Sequence, residues 1–279
     1  MPWVPGCPAL PDLVIESAGI HPERRNGIVT HGPQKRRDFS EIDQLKKKLD
    51  SYRPFPPAVA AKLREYYVVE WTHNSTAIEG NTLSLRETQM VLEGITVGGK
   101  TLREHLEIID HKDAIEYIED YIHEKIPLTE TFIRNIHHMV LKSTFPGEAG
   151  KYREKNIIIT GSKHKPPEAI EVPALMREMV DKYNADWQAE HPLKAAAMLH
   201  WRTTFIHPFI DGNGRVARLL MNFSLMQKGY PPVIFKKEDR LRYLEALEEA
   251  SKEGKLDSFL ELTLQSAMDS IEIYLRCLG

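Results

Sequence analysis

The sequence has little cysteine and no long apolar run, and each shortage excludes a class of protein. Its two cysteines, Cys7 and Cys277, lie at opposite ends of the chain, which excludes a disulfide framework and a zinc ribbon and makes a reducing compartment the default. No apolar run approaches the ~20 residues of a membrane-spanning helix, so no membrane partner is expected. Residues 1–5 lack the charged start of a signal peptide. We therefore expect a soluble cytoplasmic protein.

The chain also lacks a charge excess of either sign. Its 37 Lys and Arg residues against 40 Asp and Glu residues give a formal net charge of 37 − 40 = −3. That balance excludes a globally basic nucleic-acid binder, so no nucleic-acid partner is expected, although a local anion site remains open. Hydrophobic residues make up 42% of the 279 residues, which is ordinary for a globular protein with a substantial core.

Helical periodicity covers most of the chain after a proline-rich start. Nine of the 18 prolines fall within residues 1–57, and residues 1–37 predict an irregular N-terminal arm. Residues 38–100 predict a group of N-terminal helices, and residues 101–279 predict the core of the protein. Two capping boxes, Ser84–Glu87 and Thr101–Glu104, each predict the start of a helix. The predicted fold class is mainly α.

One segment is typical of strands instead. Residues 156–160 are rich in β-branched side chains, Gly161 and Ser162 follow as a turn, and residues 169–172 resume an apolar pattern. Two short strands joined by a turn predict a β-hairpin flap. Because a lone hairpin is marginally stable, it should pack on the helices or close over a ligand.

The stretch from His207 to Arg218 carries the chemistry. Pro208 ends one helix, because residues before proline avoid the α region. The glycine-rich residues 212–214 then form a tight loop that begins the next helix. Successive backbone N–H groups of such a loop make an anion nest, and the helix N-terminus adds unpaired donors and partial positive charge.

Charged side chains surround that nest. Arg215 and Arg218 lie three residues apart on the first turns of the helix, so both can face one anion. Asp211 offers the oxygen ligand that Mg²⁺ shares with phosphates. His207 is a candidate general base near neutral pH. Alone, each residue has an ordinary explanation as a helix cap, a turn or surface charge, but their coincidence within 12 residues favours a functional loop.

Residues His207 to Arg218 match every fixed position of the Fic signature, His-Pro-Phe-x-Asp/Glu-Gly-Asn-Gly-Arg-x-x-Arg. The chain resembles the Fic family from about Tyr67 to its C-terminus, and the continuation through residues 219–234 resembles the subgroup of the animal Fic-domain protein and its bacterial relatives. The resemblance implies a Fic-type helical bundle with a β-hairpin flap, and a catalytic core over residues 101–279.

The resemblance also implies an activity, the transfer of AMP from ATP to a Ser, Thr or Tyr hydroxyl of a target protein. In that scheme His207 takes the hydroxyl proton and Asp211 holds Mg²⁺. ATP is bound by residues Glu79, Thr160, Gly161, Asp211, Gly212, Asn213, Gly214, Arg215, Arg218 and Tyr243. The flap would register the target peptide by strand addition, with Ile158, Ile159, Thr160, Gly161 and Ser162. A homodimer is a further expectation, because related proteins often dimerise.

A second motif far upstream resembles the Fic inhibitory pattern, Ser/Thr-x-x-x-Glu-Gly/Asn. Ser75 and Glu79 are four residues apart and therefore share a helix face. Glu79 brought to Arg218 would occupy the place of the γ-phosphate and keep the enzyme nearly silent. The alternative is that Glu79 only ends a surface helix capped by Gly80 and Asn81.

Adenine recognition is the weakest part of the match. In Fic relatives a tyrosine and a downstream asparagine close over the base; Tyr243 matches the tyrosine, whereas Ser251 stands at the place of the asparagine. Three alternatives also stay open: removal of AMP from a modified target with Glu79 as the hydrolytic base, transfer of UMP, phosphocholine or phosphate, and a non-enzymatic module that senses nucleotide or binds peptide.

Overall fold

The computed structural model describes residues 39–124 and 126–279, so the predicted arm of residues 1–37 lies outside the described residues. The described residues form ten α-helices, which confirms the mainly α prediction. The helices are α1 (Ser40–Asp50), α2 (Pro57–Ile78), α3 (Leu85–Leu92), α4 (Leu102–His123), α5 (Glu130–Leu141), α6 (Val172–Ala185), α7 (Pro192–Ile206), α8 (Asn213–Gln227), α9 (Arg240–Glu253) and α10 (Asp257–Leu278).

Local sequence signals fix several of these boundaries. Both predicted capping boxes form, with Ser84 accepting from the N–H of Glu87 before α3 and Thr101 accepting from the N–H of Glu104 before α4. The prolines at the first positions of α2 and α7 lose no hydrogen bond there, because those N–H groups have no partner within a helix.

Helix α8 is the centre of the packing. Every residue from Arg215 to Leu225 is buried, so α8 is enclosed on all sides rather than on one face. One hydrophobic core joins α8 to α2, α4, α5, α6 and α7, and a second joins it to α1, α7, α9 and α10. Because α2 packs in the same core as the later helices, residues 39–279 form one unit across the predicted boundary at residue 100.

The predicted β-hairpin does not form, and residues 154–168, which we call the flap, are an extended loop without a strand ladder. The turn is present, with the N–H of Ser162 donating to the carbonyl of Ile159 at 3.2 Å. Beyond it, Pro166 and Pro167 have no N–H to donate to a ladder. The expected second strand is instead a 3₁₀ turn, Ala169–Glu171, that leads into α6.

Among residues 39–124 and 126–279, no helix combines the length and apolar character that crossing a membrane demands.

Candidate active site

The turn between α7 and α8 places His207 in an unusual backbone conformation. Helix α7 ends at Ile206, and His207 adopts φ 50° and ψ 60°, the left-handed region that few side chains other than glycine enter. Its Nδ1 lies 3.3 Å from the carbonyl oxygen of Thr204. Because a carbonyl oxygen only accepts, Nδ1 carries the proton and Nε2 is the nitrogen free to accept one.

The surroundings keep the His207 imidazole neutral at physiological pH. Burial lowers its pKa to about 4, and the charge of Arg153 and the neighbouring His164 act in the same direction. The hydrogen bond to Thr204 and the Glu79 carboxylate oppose that shift only in part. A neutral imidazole with Nε2 unprotonated can accept a proton from a hydroxyl.

The interior of the turn is held by a side-chain amide. Asn213 accepts from the N–H of Phe209 through Oδ1 and donates to the carbonyl of Phe209 through Nδ2, both at 2.9 Å. Oδ1 and one of the two Nδ2 hydrogens are thus engaged within the turn. The backbone N–H of Asn213, at the start of α8, is a further donor for an anion.

His137 supports the turn from behind, a role that the sequence did not reveal. Its ring stacks on Phe209 with 3.7 Å between ring centroids. Its Nε2 donates to the carbonyl of Asp211 at 3.1 Å, and its Nδ1 accepts from the N–H of Gly150 at 2.9 Å. No local pattern in the sequence distinguishes buried His137 from its exposed neighbour His138.

The first turn of α8 faces the Glu79 carboxylate directly. Gly212 precedes the helix with φ 77°, and a Cβ on Gly214 would collide with the carboxylate of Glu79. The first N–H groups of a helix have no acceptor inside the helix and carry partial positive charge. An anionic group thus already sits where the sequence predicted an anion site.

Asp211 lies at the mouth of the same turn and is paired with two arginines. Its Oδ1 accepts from Arg215 at 3.2 Å and its Oδ2 from Arg103 at 3.4 Å, while 40% of the side chain is exposed. No group of three or more His, Cys, Asp or Glu side chains that could hold a metal ion occurs in the described ranges. Asp211 is nevertheless a hard oxygen donor of the kind that suits Mg²⁺ when nucleotide phosphates supply further ligands.

All three guanidinium nitrogens of Arg218 are occupied. Nε donates to the hydroxyl of Ser75 at 3.0 Å, and Nη2 donates to the Ser75 carbonyl and to Glu79 Oε1, both at 2.7 Å. Nη1 donates to the hydroxyl of Tyr243 at 3.2 Å. The side chain of Arg218 is only 3% exposed, so a new anion could reach it only by displacing Glu79.

The end of α2 is fixed in place, which positions Ser75 and Glu79. Arg240 donates from Nε to the carbonyl of Ile78 at 2.7 Å, just before Glu79. Asn81 donates to the carbonyl of Glu104 at 3.0 Å and so ties the end of α2 to α4. Glu79 therefore faces Arg218 rather than open solvent.

Tyr243 has a different neighbourhood from the one expected of an adenine contact. Its ring is 2% exposed and packs among Phe235, Phe259 and His200. Its hydroxyl lies 3.0 Å from Nε2 of His200 and accepts from Arg218. An adenine needs an open ring face, which Tyr243 does not offer in this structure, so the base contact stays a prediction, and the contact that Tyr243 makes here supports Arg218.

The flap is tethered to α9 and, through His164 Nε2, which donates to the carbonyl of Phe205 at 2.8 Å, to the end of α7. Ser162 Oγ donates to Glu248, and the N–H of Lys163 donates to the other oxygen of that carboxylate at 2.9 Å. Burial raises the pKa of Glu248, but these hydrogen bonds and Lys252 outweigh burial and bring the pKa to about 2. Thr160 and Gly161 are exposed, as is Ile158 at 92%, which leaves the flap tip accessible.

Arg153 is a second residue that the sequence did not indicate. It lies just before the flap, is 3% exposed, and donates from Nε to the carbonyl of His207 at 2.8 Å. In the sequence it stands among charged residues that read as a solvated surface, so no signal marked it.

Comparisons with a family profile and with curated proteins identify the same family. A profile of the Fic/DOC family matches residues 127–225. The chain is similar to the protein adenylyltransferase Fic of Aedes aegypti, 37% identical over 257 residues that cover 91% of this chain and 50% of the relative. The protein of the same name from Drosophila willistoni is 34% identical over 241 residues, covering 86% and 48%.

Solved structures that are similar to this chain also come from Fic proteins. A Fic-domain-containing signalling protein from Bacteroides thetaiotaomicron is similar with a TM-score of 0.80 and 32% identity, covering 85% of this chain and 96% of that one. Fic-1 from C. elegans is similar with a TM-score of 0.76 and 30% identity, covering 85% of this chain and 73% of that one. The chain spans about half the length of the curated relatives it matches.

Proposed function

This chain belongs to the Fic family, and we propose that it is an auto-inhibited protein adenylyltransferase that moves AMP from ATP to a hydroxyl of a target protein. The proposal draws on the curated relatives, which are named protein adenylyltransferases, and on the arrangement of His207, the α8 N-terminus and Arg218. ATP is the proposed substrate, and a Ser, Thr or Tyr side chain of another protein is the proposed acceptor.

The observation that carries the proposal is the contact of Glu79 with Arg218 above the first turn of α8. A carboxylate is an anion, and it lies at 2.7 Å from the arginine and against Gly214, in a place suited to a phosphate. A place suited to a terminal phosphate but filled by the protein's own carboxylate supports the proposal of an enzyme that rests in an inhibited state.

In the proposed reaction, Nε2 of His207 takes the proton of the target hydroxyl while its oxygen attacks the α-phosphorus of ATP. The bond from the α-phosphorus to the bridging oxygen breaks, and pyrophosphate leaves with that electron pair. The N–H groups at the start of α8 and the guanidinium groups of Arg215 and Arg218 offset the phosphate charge. Asp211 would hold Mg²⁺, which when bound neutralises charge on the phosphates.

The proposal is tested with labelled ATP and Mg²⁺. Replacing Glu79 by glycine frees Arg218, so Glu79→Gly should raise incorporation of AMP into the protein itself well above that of the unchanged chain. His207→Ala in the same background should remove that incorporation, and mass spectrometry should find the AMP adduct only in the Glu79→Gly protein. Equal incorporation in all three proteins would sink the proposal.

Removal of AMP is a second candidate, and one observation favours it. Glu79 is 40% exposed although it is paired with Arg218, and its carboxylate acts on the pKa of His207, so it lies near the proposed base. A water held by Glu79 could attack an AMP-modified side chain in the site. Release of AMP from a modified substrate by the unchanged chain, and its loss in Glu79→Gly, would support this direction.

A further inference from the structure

One buried side chain joins three parts of the chain that lie far apart in sequence. Besides His207, Arg153 donates from Nη1 to the carbonyl of Lys155 at 3.1 Å and from Nη2 to the carbonyl of Pro167 at 2.6 Å. It also lies 3.5 Å from the carbonyl of Ile206. Both ends of the flap and the end of α7 thus meet on a single guanidinium.

The hydrogen bonds of Arg153 go to neutral backbone carbonyls. Its buried positive charge therefore carries a free-energy cost. Burial disfavours the charged form and lowers the pKa of Arg153. An apolar side chain could fill the same space without that cost. Only arginine supplies several N–H donors in one rigid plane. Here these donors bond to the carbonyls of Lys155, Pro167 and His207.

The position of these bonds matters because His207 has a strained backbone. Among the described residues other than glycine, His207 alone has a positive φ. Such a conformation persists only where its surroundings hold it. Arg153 holds two successive carbonyls of this backbone: its side chain donates to the carbonyl of His207, and its own N–H donates to the carbonyl of Pro208 at 2.9 Å.

We propose that Arg153 is a positioning residue that fixes the flap, and with it the target hydroxyl, relative to the imidazole of His207. This inference rests on the proposed function, because it requires His207 to accept the proton of a residue bound along the flap. Arg153 touches neither nucleotide nor target; it acts through the backbone of His207 and the two ends of the flap.

The positive charge of Arg153 and the geometry of its guanidinium group contribute separately to the state of His207, and two substitutions distinguish them. The groups that act on the His207 imidazole are Arg153, Glu79 and His164, and Arg153 favours its neutral form. Arg153→Lys keeps a positive charge but loses the fork, whereas Arg153→Gln loses the charge. In the Glu79→Gly background, Arg153→Gln should raise the pKa of His207 toward its ordinary value, and Arg153→Lys should leave it low.

The test uses the full chain carrying Glu79→Gly as the parent, with Arg153→Lys and Arg153→Gln added singly. Arg134→Gln is the matched control, because exposed Arg134 donates to the backbone carbonyl of Gly150 at 2.8 Å but does not contact His207 or the flap ends. Three quantities are measured: AMP incorporated into the protein, the affinity for ATP by calorimetry, and the pKa of His207 by NMR of labelled histidine.

Misplacing a reacting group by about 1 Å can cost ~100-fold in rate, so Arg153→Lys should lower AMP incorporation at least tenfold. Its affinity for ATP should stay close to that of the parent. Its melting temperature should fall, because buried carbonyls lose donors, but the variant should remain folded at the assay temperature. Arg134→Gln should match the parent throughout. Incorporation by Arg153→Lys equal to the parent would overturn the inference, as would a fall that parallels lost ATP binding or lost folding. If the parent itself incorporates no AMP, the proposed function fails, and the NMR result alone decides whether Arg153 controls His207.

Discussion

The turn at residues 207–214 and the flap at residues 154–168 are neighbours joined by Arg153, yet they are held in opposite ways. The turn pairs its interior polar groups with side chains of its own and of α5, as the Asn213 amide and the His137 ring show. The flap is open at its tip and is fixed at its ends and through one carboxylate of α9. A preformed turn beside an adaptable loop suits the proposed reaction, in which the acceptor is another protein.

The largest expected effect comes from acidification, which should destabilise the turn but leave the flap tether intact. Burial lowers the pKa of His137 and of His207 to about 4, whereas an unfolded histidine has its ordinary pKa near 6.5. Between these values the unfolded chain binds protons that the folded chain does not, so stability is fully present above about pH 6.5 and falls as the pH drops toward 4. For His137, which is fully buried, the loss is at most on the order of 3 kcal/mol.

Denaturant unfolding at a series of pH values measures this slope. His137→Gln should flatten it, and His138→Gln, a change at the exposed neighbour, should not. The flap tether should survive the same acid range, because the pKa of Glu248 is about 2. An identical slope in the His137 and His138 variants would contradict the assignment.

Removing the internal brace of the turn should cost more than removing the brace of the flap. Asn213→Ala leaves the buried N–H and carbonyl of Phe209 without partners, which should lower the free energy of unfolding by about 2–3 kcal/mol. Ser162→Ala removes one hydroxyl from the half-exposed flap and should cost less than about 1 kcal/mol. Urea denaturation of the two variants makes the comparison, and equal losses would show that the turn is no better braced than the flap.

A substitution of Tyr243 tests whether Arg218 depends on a hydrogen bond from the core. Tyr243→Phe keeps the ring but removes one hydrogen bond to Arg218, worth about 1 kcal/mol. In the Glu79→Gly background, the KM for ATP should rise about fivefold with little change in kcat. Tyr230→Phe, at a buried tyrosine that packs under Lys46 away from the site, should leave KM unchanged. An unchanged KM in the Tyr243 variant would mean that Arg218 needs no such support.

The smallest effect concerns the flap tether. Glu248→Ala removes the acceptor for Ser162 and for the N–H of Lys163, so the flap should open more often. Trypsin should then cleave after Lys163 a few-fold faster than in the unchanged chain, whereas the bond after Lys165 resists trypsin because Pro166 follows it. Glu245→Ala, at an exposed position one turn earlier on α9, is the control. Equal cleavage rates in both variants would remove Glu248 as the tether.

The contrast between the turn and the flap also explains what could be predicted from the sequence. The helices, their capping boxes and the residues of the turn follow local rules, because glycine, proline and capping side chains act on neighbours within a few residues. The flap was predicted as a hairpin from β-branched residues 156–160, the turn at Gly161 and Ser162, and the apolar pattern of residues 169–172. Strand propensity needs a partner strand, and the prolines of residues 166–167 leave that partner without donors.

Contacts between distant segments were the other limit. The meeting of Glu79 with Arg218, 139 residues apart, could be anticipated because the family pattern links the two motifs. The roles of His137, Arg153 and the buried Tyr243 could not, because each depends on which helix faces pack together. Nothing in one sequence distinguishes a buried arginine that bonds carbonyls from an exposed one on a charged surface.

The central claim, that Glu79 holds the place of the γ-phosphate on Arg218, is tested most directly by phosphorus NMR of a bound ATP analogue whose α,β bridge is a methylene and cannot be cleaved. The account predicts that the γ-phosphorus signal differs between the unchanged chain and Glu79→Gly, and that adding Arg218→Ala to the glycine variant removes the difference. The same γ-phosphorus signal in the unchanged chain and in Glu79→Gly would contradict it.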